Sequence, residues 1–206
     1  MLIDFRTLFP KYGINPKGVL QVGCHWAEEY NDLKSLGVSK MILIEPCAAA
    51  FNKMVETIND PDVQLVKCAC GSEDGEMEMF VSNNNQGQSN SLLQPLLHLQ
   101  QHPEVVFTEK EKVSVRRLDN IPFEREDYDM LLMDVQGYEG EVLKGAVETL
   151  KHINVIYTEC NRGQTYAGNM EIEQMDEFLK PFGFSRVETY WPSPNWTWGD
   201  CVFIKQ

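Results

Sequence analysis

Three carboxylates close short apolar runs: Glu45 follows Met41-Ile42-Leu43-Ile44, Asp134 follows Met130-Leu131-Leu132-Met133, and Glu159 follows Val155-Ile156-Tyr157-Thr158. Runs whose apolar residues do not alternate with polar ones suit strands covered on both faces. In an open parallel sheet, ligands sit outside the carboxyl ends of the strands, so each of these acids is a site candidate. A carboxylate there can serve as a general base. Asp134 has a structural alternative, because it also precedes a helical pattern that it could cap.

The elements that must position these acids are legible in order. Residues 2–12 form an amphipathic helix ended by Gly13 and Pro16. Strands over 18–22, 41–44 and 63–67 alternate with helices ending near Leu36 and spanning 48–58, a β-α-β-α-β series that right-handed crossovers turn into half of a doubly wound sheet. The stripe Glu139, Val142, Leu143, Ala146, Val147 and Leu150 predicts a helix after Asp134. Another helix covers 171–182, and strands over 184–190 and 200–204, joined by a Pro-rich loop, make an antiparallel hairpin at a sheet edge. About residues 72–127 the pattern loosens into a loop-rich insertion, with an edge strand over 76–81, a polar loop over 82–91, a helix over 92–102 and a short strand over 112–115.

The 206 residues, 43% hydrophobic, suffice for one core, so a single domain over 1–206 is expected. A formal net charge of −13 without a basic stripe opposes a nucleic-acid or anionic-membrane partner. The opening M-L-I-D-F-R-T-L-F-P is too short and too polar for a span or a secretory leader, and the expected location is cytoplasmic. Six cysteines without C-x-x-C pairing signal neither zinc nor a disulfide framework. Five of them, Cys24, Cys47, Cys68, Cys70 and Cys160, follow expected strands, as small residues at crowded strand ends do.

The turn after the first strand selects the cofactor. Dinucleotide binding wants G-x-G-x-x-G, so that backbone can approach a pyrophosphate at a helix N-terminus. Here those positions hold Gly23, His25 and Glu28, and Glu28 with Glu29 put negative charge where an anion would sit. That opposes a nicotinamide oxidoreductase. S-adenosylmethionine carries a sulfonium and an ammonium and no phosphate, and an acidic turn suits it. Glu45 can accept both ribose hydroxyl protons, or can simply sit at a helix N-terminus, and Ala69 and Cys70 stand where an adenine ring would be flanked.

Together V-G-C-H-W-A-E-E-Y, I-E-P, C-A-C-G, S-N-S-L, the R-L-D ending at Asp119 and above all M-D-V-Q-G-Y-E-G-E-V-L-K-G-A resemble the FkbM family of S-adenosylmethionine-dependent methyltransferases, over about residues 18–160. The resemblance implies a class I methyltransferase: an α/β, Rossmann-like, seven-stranded, mostly parallel sheet with helices on both faces and a C-terminal antiparallel hairpin, transferring methyl to a hydroxyl oxygen of a small molecule or glycan. By position, Gly23 and Glu45 resemble the family's cofactor contacts and Asp134 the acid near the transferred methyl; with His25, Ala27, Pro46, Ala69 and Cys70 they make up the expected cofactor site. The first turn departs from D-x-G-A-N-x-G, with Gln21 for the acid and Ala27 for the last glycine, which leaves the amino-acid end of the cofactor short of one carboxylate.

Two mechanisms stay open. Asp134 or Glu159 acts as general base, or the pair holds a Mg²⁺-like ion, with Asn161 as third oxygen ligand, in an arrangement similar to catechol-type O-methyltransferases. His25 at the turn is more often a hydrogen-bonding residue than a catalyst. His98 and His102 share a helix face without the acid a zinc protease needs. Tyr190, Trp191, Trp196 and Trp198 wall an acceptor pocket, fill the hairpin core, or contact a second subunit of a homo-oligomer. The competing function is a non-catalytic, cofactor-binding module of the same fold.

Overall fold

The computed structural model describes residues 1–206. Its main sheet has seven strands: β1 (Gly18–Val22), β2 (Lys40–Ile44), β3 (Val63–Val66), β7 (Met130–Met133), β8 (Val155–Asn161), β9 (Phe184–Tyr190) and β10 (Trp198–Lys205). The spatial order is β3-β2-β1-β7-β8-β10-β9. All neighbours are parallel except β10, which runs antiparallel to both β8 and β9, so the C-terminal hairpin is as expected.

The unbroken apolar runs have the cause inferred from them: both sheet faces are covered. On one face Leu20, Ile42, Leu131 and Met133 pack with Val142 and Leu143 of α5 (Glu139–Lys144) and with Ile172, Met175 and Leu179 of α6 (Ile172–Leu179). On the other, Val19, Met41, Met130 and Leu132 pack with Phe5, Leu8 and Phe9 of α1 (Phe5–Tyr12), Leu33 of α2 (Tyr30–Ser35) and Met54 of α3 (Ala48–Thr57). The order in which strands are added to the sheet reverses between the parallel neighbours β1 and β7, whose ends pair Val22 with Met133. Gly23 is indispensable there, because a Cβ on it would lie 2.0 Å from the Asp134 carbonyl oxygen.

Two regions differ from expectation. The helix over 139–150 stops at Lys144 and resumes as a 3₁₀ turn at Thr149–Lys151. Asp119 causes the break by accepting from the backbone N–H groups of Glu148 and Thr149 and from the Thr149 hydroxyl. The apolar stripe survives it, with Ala146 and Leu150 fully buried.

Residues 72–127 hold more order than a loop-rich insertion. β5 (Gly75–Ser82) and β6 (Phe107–Arg116) join β4 (Ala69–Cys70) in a second sheet ordered β4-β6-β5. The helix there is short, α4 (Leu97–Gln101). Met79, Val113 and Val115 of this sheet pack with Cys47 and Ala50, which follow β2, and with Tyr138. No helix is long and apolar enough to cross a membrane.

Candidate functional site

Two cavities adjoin where β1 and β7 end. The first, about 350 Å³, is lined by Gly23, His25, Glu45, Pro46, Ala69, Cys70 and Asp134, all singled out from sequence. The second, about 410 Å³, is lined by Glu159 among others. Asp134 and Gln136 belong to both.

The first turn winds through left-handed backbone at Gly23 (φ 75°), His25 (φ 48°) and Ala27 (φ 60°). A left-handed residue with a Cβ costs about 1–2 kcal/mol, so this turn stores strain at two of the three positions. Ala27 does not line the cavity, contrary to its assignment to the cofactor site. It is buried in the core cluster that holds Phe5, Leu33 and Met54, so it makes no wall of the cavity.

The strain is repaid in hydrogen bonds. The His25 N–H donates to Glu45 Oε2 at 2.9 Å and the Cys47 N–H to Glu45 Oε1 at 2.8 Å, so both carboxylate oxygens are oriented at the cavity wall. Burial outweighs these donors and pushes the Glu45 pKa up to about 7. The His25 ring spans from Glu28 Oε1, 2.7 Å, to the Gln86 carbonyl, 2.8 Å, and so ties the insertion loop over the cavity. Burial alone would lower the His25 pKa, but these two acceptors raise it. The role is a latch, as a lone histidine at a turn suggests.

Glu29, at the N-cap of α2, brings a carboxylate beside position 21. Gln21 Nε2 donates to Glu29 Oε2 at 2.8 Å, and both residues line the first cavity. The Met1 ammonium lies 3.2 Å from Glu29 Oε1. Burial would lower its pKa, yet Asp134, Glu29 and Asp200 raise it to about 10, which reports the sign of the local field.

Gln136, in left-handed backbone at φ 53° ahead of Gly137 at φ 95°, joins the cavities. Its Nε2 donates to Asp134 Oδ1 at 2.7 Å and to Glu159 Oε2 at 2.8 Å, while its Oε1 accepts from the Tyr166 hydroxyl at 2.7 Å. Ser91 donates to its backbone carbonyl at 2.7 Å. Burial raises the Asp134 pKa, with the Gln136 bond opposing; burial and then Asp134 raise that of Glu159 well above the usual range. Such a pair titrates as a unit. Asp134 does not cap the next helix, whose N-terminus has no side-chain cap; Glu139 Oε1 accepts from the Val135 and Gly137 N–H groups and so braces the turn before that helix.

The arrangement fits the metal reading poorly. An amide N–H₂ group is directed at both carboxylates from the bridging position an ion would take. Asn161, the supposed third ligand, lines neither cavity, although its side-chain amide is buried without a partner. No group of three or more His, Cys, Asp or Glu residues is arranged to hold a metal ion.

A model of the methyltransferase FkbM domain matches residues 16–186. The chain belongs to the FkbM methyltransferase family. It is 28% identical over 173 residues to the 2-O-methyltransferase NoeI of Sinorhizobium fredii, covering 80% of this chain and 71% of that one. A crystal structure of methyltransferase FkbM from Methylobacillus flagellatus superposes with a TM-score of 0.60 at 14% identity, over 91% of this chain. This chain spans only 43% of that protein. Magnesium protoporphyrin IX methyltransferase from Synechocystis, solved with bound S-adenosylmethionine, superposes with a TM-score of 0.53 at 9% identity, over 91% of this chain and 69% of that one. At such identities the two structures share the fold.

Other motif residues of this FkbM methyltransferase hold the frame. Arg117 pairs with Asp119, the residue that ends α5. Gly145 abuts the C-A-C-G turn so closely that a Cβ would lie 1.9 Å from the Gly71 carbonyl oxygen. Sequence reasoning named Glu29 only as negative charge in the first turn, and missed Gln136, Tyr166 and Asp200. Gln136 alone had a signal, since the D-V-Q-G run sets an amide beside the acid at a strand end.

Of the aromatic tail, Trp198 lines the second cavity. Trp191 packs on the core and under the Arg162 guanidinium, and Tyr190 is exposed.

Proposed function

We propose that this FkbM methyltransferase uses S-adenosylmethionine to methylate a hydroxyl oxygen of a small molecule or sugar. The observation that carries the reading is the pair of adjoining cavities meeting at Asp134 and Gln136, one acidic and phosphate-averse, the other walled by carboxylates and aromatic rings. In the first, Glu45 holds the ribose hydroxyls, Ala69 and Cys70 flank the adenine, and Glu29 with Gln21 faces the ammonium end. Bound there, S-adenosylmethionine supplies a methyl group on a sulfonium sulfur. In the second, the Asp134 and Glu159 pair takes the acceptor's hydroxyl proton, and Gln136 keeps the two carboxylates turned towards that proton. The name of the relative NoeI, a 2-O-methyltransferase, supports an oxygen acceptor.

Calorimetry with S-adenosylhomocysteine tests the cofactor. A hydrogen bond to a charged group is worth about 1.5–3 kcal/mol, so losing two through Glu45→Ala is expected to weaken binding about a hundredfold or more. No binding by the unaltered chain at millimolar ligand ends the proposal.

A further inference from the structure

The second cavity has an unusual balance of charge. Asp134, Glu159, Asp200 and Glu104 line it, and against them stands one cation, the Met1 ammonium, which Glu29 already pairs at 3.2 Å. Facing these acids are aromatic rings from distant parts of the chain. The Trp198 indole N–H donates to His102 Nε2 at 3.1 Å, which pins β10 to the end of α4, and Trp198 stacks on Trp196 at 5.2 Å. The His98 ring lies 5.4 Å from that of Tyr166.

Two polar atoms of the lining are unanswered. His98 is 5% exposed; its Nε2 lies 3.2 Å from Ser89 Oγ, but its Nδ1 is buried without a partner. The same holds for Asn85 Oδ1. A buried polar group without a partner costs about 1–3 kcal/mol, and two of them beside a cavity point to a ligand that completes them.

Charge selects the ligand. A phosphate or carboxylate would face four acids with a single ammonium, already paired by Glu29, to offset them, and a neutral polyol would leave the excess negative field unbalanced. A protonated amine offsets that field, and aromatic faces add cation–π attraction. Resting on the methyl-transfer reading above, we infer that the second cavity takes a hydroxylated acceptor bearing a protonated amine and excludes acceptors bearing phosphate or carboxylate.

The test titrates glucosamine, glucose and glucose 6-phosphate into the full chain loaded with S-adenosylhomocysteine, followed by NMR. Glucosamine is expected to bind about tenfold or more tightly than glucose, and glucose 6-phosphate most weakly. Glu104→Gln, at the exposed rim, is expected to narrow the preference for the amine and leave S-adenosylhomocysteine binding and thermal stability unchanged. Equal binding of glucosamine and glucose, tighter binding of the phosphate, or no binding of glucosamine overturns the inference. Each of those results leaves the cofactor reading standing, whereas absence of S-adenosylhomocysteine binding removes that reading itself.

Discussion

Replacing Gln136 by alanine isolates what the amide bridge does. The substitution keeps the backbone unchanged, because both residues meet the same cost at φ 53°. It removes the donor shared by Asp134 and Glu159 and the acceptor of the Tyr166 hydroxyl. Each lost bond to a carboxylate is worth about 1.5–3 kcal/mol, and a pKa unit is about 1.4 kcal/mol, so the shift to expect is about 1–2 units. Its direction is upward, since the amide favoured the ionised forms and the buried acids now repel each other unrelieved. Titration of the carboxyl carbons of Asp134 and Glu159 by ¹³C NMR reads this without any acceptor. Any methyl transfer that needs the ionised pair rises at correspondingly higher pH. The orphaned Tyr166 hydroxyl adds a stability loss of about 1–3 kcal/mol, measurable in urea. Midpoints that stay in place, or fall, refute the bridging role.

Gly23→Ala is expected to lose about 3 kcal/mol or more and S-adenosylhomocysteine binding, because its Cβ meets the Asp134 carbonyl; Gly13→Ala, at φ 64° with open space around it, should cost only about 1–2 kcal/mol in the same thermal melts. Glu45 and Glu139 have folded pKa values raised to about 7, so the folded chain binds more protons than the unfolded one between about pH 4.5 and 7. Stability from these groups is therefore present at low pH and lost as pH rises through 7, and melting temperatures at pH 6 should exceed those at pH 8. Chelation by EDTA is expected to leave cofactor binding and methyl transfer unchanged; a loss restored by Mg²⁺ would return the metal reading.

Much of this was written in local pattern. Apolar runs, each followed by an acid, and helical stripes between them determine a parallel sheet with carboxylates at its carboxyl edge, because periodicity and turn residues act over a few positions. That is why Glu45, Asp134 and Gly23 could be named as site candidates before any coordinates. Tertiary structure decided what those acids face. Gln136 links Asp134 to Glu159, residues 25 positions apart that meet only because β7 and β8 are neighbours. Glu29 meets Gln21 across a turn wound through left-handed backbone that its own residues disfavour. Ala27 turned into the core, and Asp119 met Glu148 and Thr149 across about thirty positions of sequence, through packing that neither stretch specifies alone. Direction of a side chain and the choice of a distant partner depend on packing across the whole sheet, and no short stretch of sequence encodes that.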